Sequence, residues 1–175
     1  MREPRRPETP TRCRYWPGAD VDADRYGWRC AAACASIAVV DEALVGTEQD
    51  GLRFAQLQHG ADGTVRSVEV SVRTPGLAAG LRVQSHYARG FDDLVAFFQE
   101  LAAGWRGWQG GKAYESLERD LRLTATHDGH VRLAVQMSRT SGPDGWPASA
   151  VLRLDPGEEM TRAVGDVAAL LASAR

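Results

Sequence analysis

Residues 91–131 read FDDLVAFFQELAAGWRGWQGGKAYESLERDLRLTATHDGHV. The hydrophobic period changes inside this stretch, and that change decides the fold class. Phe91, Leu94, Val95, Phe98, Leu101 and Ala102 recur at helical spacing. Asp92 and Asp93 fall in the first turn, where acids complement the helix dipole. The helix is predicted to end near Gly104. A Trp105-Arg106-Gly107-Trp108 corner follows, then a short Ser116-Leu117-Glu118 segment, then two strands joined at Asp128-Gly129.

Register decides how those two strands meet. A two-residue turn would pair His127 with His130 and set Leu121, Leu123 and Ala125 on the same face as Arg132, Ala134 and Gln136. A half-buried sheet forbids that, because a one-residue slip turns every side chain to the other face. A three-residue His127-Asp128-Gly129 loop, with Gly129 left-handed, pairs Thr126 with His130 instead. Leu121, Leu123 and Ala125 then share a face with Val131, Leu133, Val135 and Met137.

Outward from this centre, strands are predicted at Ser36–Asp41, Leu52–Gln58, Val65–Arg73 and Ala79–Tyr87, the last two alternating clearly. Thr74-Pro75-Gly76 is a turn. Ser141–Gly145 is another, and Trp146–Leu154 is the last strand. A second helix carries Met160, Val164, Val167 and Leu171, with Asp155 as its N-cap, Pro156 at N1 and Glu158 at N3. The order is strand-strand-strand-helix, twice. The expected fold is α+β, with one antiparallel sheet of about six or seven strands and both helices packed on one face. A shift of sixty-six residues aligns VRSVEVSVRTPG with VRLAVQMSRTSG, but sets Val68, Val70 and Val72 against Ala134, Gln136 and Ser138, on the opposite face. The architecture repeats; an ungapped duplication does not follow.

The 175 residues suit one domain with a tail. Residues 35–175 form the predicted domain. Residues 1–34 hold scattered charge and no helix or strand period, which reads as a disordered extension or as translation from a start upstream of the true one. There is one Lys, one Ile and no Asn, so the gene is expected to come from a GC-rich bacterium. Charge is −2 overall, against general nucleic-acid binding. No apolar run is long enough for a membrane span or placed as a secretory signal, so the expected location is the cytoplasm.

The pattern resembles an uncharacterised actinobacterial family, domain of unknown function 6228. The matching residues are Phe97-Phe98, Leu101-Ala102, Trp105, Gly107, Trp108 and Gly110, then Ser116-Leu117-Glu118 and Asp120-Leu121. Ala125, Gly129-His130-Val131, Trp146, Gly157-Glu158, Met160 and Pro75-Gly76-Leu77 complete the set. Tyr114 stands where similar proteins are expected to carry Trp. The resemblance covers residues 50–173; it implies a shared fold and no activity.

Chemistry is sparse. His127, Asp128 and His130 could ligate a metal, but the predicted register puts His127 at a hairpin tip, and no third strong ligand is near in sequence. Cys13, Cys30 and Cys34 lack a Cys-x2-Cys knuckle. Ser116, Ser141 and Ser149 lack a nucleophile elbow. Trp105, Trp108, Tyr114 and Trp146 could stack on a ligand, yet packing of the helix-to-strand corner explains them more simply. No catalytic residue, metal or cofactor is assigned.

One surface remains. The outward strand positions carry Arg73, Arg82, Arg122, Arg132 and Arg153, while Asp92, Asp93, Glu100, Glu158, Glu159 and Asp166 lie on the helices. The leading expectation is a non-enzymatic interaction domain, immunity-like by analogy, whose basic sheet face meets an acidic protein partner or whose acidic helices meet a basic one. The alternative is a small enzyme or ligand binder with a pocket at Trp105, Trp108, His127 and His130.

Overall fold

The structure, a computed structural model, describes residues 41–139 and 145–172. It holds two four-stranded antiparallel sheets, each followed by a helix. The first sheet contains β1 (Glu42–Gly46), β2 (Gly51–His59), β3 (Val65–Thr74) and β4 (Leu77–Gln84), paired in chain order. Helix α1 (Asp92–Ala103) follows. The second sheet contains β5 (Lys112–Glu115), β6 (Leu121–His127), β7 (Val131–Arg139) and β8 (Trp146–Leu154), and α2 (Glu158–Ala172) closes the chain.

The α+β class is therefore correct, and the single sheet of six or seven strands is not. The repeat is four strands and a helix, twice. Two strands were hidden from the sequence. β5 is only four residues, too short to show a period, and its inward positions are a Lys and a Tyr. β1 lies just after the predicted Ser36–Asp41, of which only Asp41 is described, and it is not in a strand. The expectations for residues 1–34, for Cys13, Cys30 and Cys34, and for Ser141 lie outside the described residues.

The predicted alternation holds along the longer strands. Val68, Val70 and Val72 are buried on β3, and Leu121, Leu123, Ala125, Val131, Leu133, Val135 and Met137 on β6 and β7. The β3–β4 connection is the two-residue Pro75-Gly76 turn, with Gly76 at φ +84°. The sixty-six-residue shift sets buried Val70 against exposed Gln136, so it is not the structural equivalence of the two halves.

One core unites both sheets and both helices. Phe98 of α1 meets Phe54 of β2 edge-on, with ring centroids 5.7 Å apart. Phe97, missing from the predicted stripe, is buried and reaches Tyr114 of β5 at 6.3 Å. Helix α1 thus stitches the two sheets together. Truncating the fully buried Phe98 to Ala is expected to cost about 3–5 kcal/mol. Helix α2 packs along β1 and touches α1.

Two local expectations shift. The β6–β7 loop has three residues, but they are Asp128-Gly129-His130; His127 pairs with Val131, and Gly129 has φ +99°. Pairing slides by two residues from the prediction, which leaves every face unchanged. Asp155 does not cap α2. The first helical hydrogen bond runs from Thr161 N–H to Gly157 O, and the Asp155 carboxylate lies 2.6 Å from His130 Nδ1.

Candidate functional site

The five outward arginines are divided between the two sheets. Arg73 and Arg82 lie on the first sheet; Arg122, Arg132 and Arg153 lie on the second. Arg82 has a structural task. Between Ala55 and Gln58 an extra residue interrupts the β2–β3 register, and Gln56 takes φ +51°. A bulge frees backbone groups. Arg82 Nη1 donates to Gln56 O at 2.9 Å and lies 3.4 Å from Ser67 Oγ, while its Nη2 is 3.5 Å from Glu69 Oε2. Among the described residues Arg73 forms no ion pair.

The second sheet presents a more ordered outer face. Register places Glu115, Arg122, Gln136 and Ser149 in one row across the four strands. Ala113, Thr124, Ala134 and Val151 make the next, and Thr126, Arg132 and Arg153 the third. The middle row consists of small, weakly polar side chains and ends at Val151, which is 62% exposed. Guanidinium groups flank it on both sides. Arg122 pairs with Glu115 at 2.6 Å and Arg132 with Asp128 at 2.7 Å. Arg132 and Arg153 are direct cross-strand neighbours. Partial loss of solvent works to raise the pKa of the Asp128 carboxyl. Attraction to Arg132, a backbone hydrogen bond from His130, the Arg132 hydrogen bond and the field of Arg153 outweigh it and hold the group below its ordinary 3.8.

The aromatic corner is mostly packing. Trp108, Tyr114 and Trp146 are half-buried against the core, whereas Trp105 is 53% exposed with the Arg106 guanidinium 4.7 Å over its ring. Gly104 ends α1 close against the Trp108 ring, where a Cβ would lie 2.8 Å from Cε3. Burial pushes the Tyr114 hydroxyl above the ordinary range, and Asp120 and Asp93 add to the effect.

His127 is not at the hairpin tip. It ends β6 on the inward side and meets Trp108 edge-on at 5.0 Å. Its Nδ1 accepts the Gly129 N–H at 3.3 Å, so the neutral ring carries its proton on Nε2. That Nε2 and Trp108 Nε1 are both shielded, with no hydrogen-bond partner among the described residues. His130 occupies the loop and engages Asp155. The two imidazoles thus serve different partners, and the His127-Asp128-His130 constellation is not assembled. Among the described residues, no three His, Cys, Asp or Glu side chains are grouped as a metal site.

The Ser116 loop is a feature that sequence reading passed over. Ser116 is buried; its Oγ donates to Asp120 Oδ1 at 2.5 Å and accepts the Leu121 N–H at 3.0 Å. Arg119 N–H donates to Ser116 O at 3.0 Å, and Arg119 takes φ +57°. Serine followed by aspartate four residues later was the available signal.

Residues 44–174 match the sequence model of a family of unknown function, DUF6228. The chain belongs to that family. The DUF6228 match begins inside β1 and runs past α2, so it takes in both sheets and both helices. No curated protein and no solved structure matched. The Ser116-Leu117-Glu118-Arg119-Asp120 turn and the Trp108–His127 contact both fall within the DUF6228 match. Among the described residues, no helix is long and apolar enough to cross a membrane.

Proposed function

We propose that this protein is a non-enzymatic interaction domain of the cytoplasm whose second-sheet outer face engages an acidic protein partner. The observation that carries the reading is the direct opposition of Arg132 and Arg153 beside exposed Val151. Like charges set opposite each other weaken a sheet, and an exposed apolar residue gains by being covered. An acidic surface with an apolar contact at its centre relieves both. An immunity-like role, in which a small domain covers a toxin, remains analogy from size and charge.

Capture from native lysate tests it. The tagged full chain is expected to retain a stoichiometric partner that added salt releases. Arg132→Glu combined with Arg153→Glu is expected to lose that partner, and Arg73→Glu on the other sheet to keep it. Equal capture by all three proteins would overturn the reading. A second reading places a small ligand beside Trp108 and His127, supported by their two shielded N–H groups. A bound small molecule or metal lost on His127→Ala would favour it.

A further inference from the structure

At one end of the second sheet's outer face lies an open hollow of about 540 Å³. Glu115, Arg119, Arg122, Gln136, Ser138 and Ser149 supply its polar lining, Pro147 its exposed apolar lining, and Met137 and Ala148 border it from the inward-facing positions. We propose that this hollow is a binding site for a carboxylate side chain, an Asp or Glu carried by the acidic partner inferred above; the proposal rests on that reading and names its anchor point.

A left-handed conformation costs a non-glycine residue stability, yet here Arg119 holds it. The turn is over-determined by Ser116: its hydroxyl joins Asp120 and Leu121, its carbonyl accepts Arg119 N–H, and its own N–H donates to Leu121 O at 2.9 Å. Asp120 O in turn accepts the Ser138 N–H at 2.8 Å, tying the turn to β7. The loop is therefore a rigid mount that sets an arginine at the rim of the hollow. Among the described residues Arg119 has no ion-pair partner, and neither the Gln136 amide nor the Ser149 hydroxyl makes a hydrogen bond. These exposed groups are thus available to a ligand rather than committed to a partner within the described residues.

The lining also selects the anion. Guanidinium groups match a carboxylate in two-point geometry. Glu115 stands in the wall, 2.6 Å from Arg122 Nη2, and a doubly charged phosphate would meet its repulsion more strongly than a single carboxylate would. Exposed Pro147 gives methylene groups an apolar seat, which inorganic phosphate cannot use and a Glu or Asp stem can.

The test uses the full chain labelled with nitrogen-15 and reads the arginine Nε–H signals. An acetylated, amidated tetraglutamate peptide, its tetraglutamine counterpart and inorganic phosphate are titrated separately. Tetraglutamate is expected to move Arg119 and Arg122 at the lowest concentration, and tetraglutamine to move neither. Arg119→Gly, which suits the left-handed backbone and keeps the fold, is expected to weaken the response about tenfold. Shifts confined to Arg132 and Arg153 would overturn this anchor point while sparing the sheet-face reading. Movement of none of the four would overturn both. Tighter binding of phosphate, or an undiminished response in Arg119→Gly, would overturn the carboxylate assignment.

Discussion

Arg132 on β7 and Arg153 on β8 stand directly opposite one another, cation beside cation, on an exposed sheet face. Asp128 partly offsets the repulsion by pairing with Arg132 at 2.7 Å. Opposed like charges cost a fraction of a kcal/mol up to about 1 kcal/mol. Arg153→Thr, which keeps β propensity and removes one cation, is therefore expected to raise the urea midpoint slightly, by about 0.5 kcal/mol of stability. A lower midpoint would show that Arg153 is held by a structural need.

Arg82 behaves in the opposite sense. It donates to the bulge carbonyl of Gln56 and lies against Ser67 and Glu69. Arg82→Ala is expected to cost about 1–2 kcal/mol in urea unfolding and to speed amide exchange at Leu57 and Gln58. Arg73→Ala, on the same sheet without an ion pair among the described residues, is expected to stay within about 0.5 kcal/mol of the parent. Equal effects would contradict the structural task given to Arg82.

The contrast between these arginines shows what the sequence carried and what it did not. Period-two alternation and a switch to helical spacing were enough to place Val68, Val70 and Val72, the Leu121–Met137 faces, and α1. Faces survived even where the β6–β7 pairing slid by two residues, because parity alone decides them. The division into two sheets was not legible, since β5 is short and its inward Lys112 breaks the apolar pattern. The bulge at Gln56 left no glycine to mark it. His127 was misplaced because nothing local distinguishes a loop that starts at residue 127 from one that starts at 128. The decisive contact, with Trp108, is nineteen residues away in sequence.

That contact leaves little room. A Cβ on Gly104 would lie 2.8 Å from the Trp108 ring, which is itself wedged against His127. Gly104→Ala is expected to displace the indole, change near-ultraviolet circular dichroism and cost about 1–3 kcal/mol. An unchanged aromatic signal at parental stability would refute the packed corner.

Acid should weaken the loop that carries Asp128. Its carboxyl titrates below the ordinary 3.8 in the folded chain, so the unfolded chain takes up the proton first as pH falls. The contribution is fully present above the unfolded value and disappears as pH drops through the lower folded one. Stability of Asp128→Asn is therefore expected to fall less steeply than the parent's between about pH 5 and pH 2. Parallel curves would contradict the ionic role of Asp128.

Arginine footprinting of the captured complex decides whether the second sheet's outer face is the working surface. Phenylglyoxal labelling with and without partner, read by mass spectrometry, reports each guanidinium separately. Arg122, Arg132 and Arg153 are predicted to lose reactivity on binding while Arg73 stays reactive. Protection of Arg73 with Arg132 and Arg153 still labelled would contradict the claim.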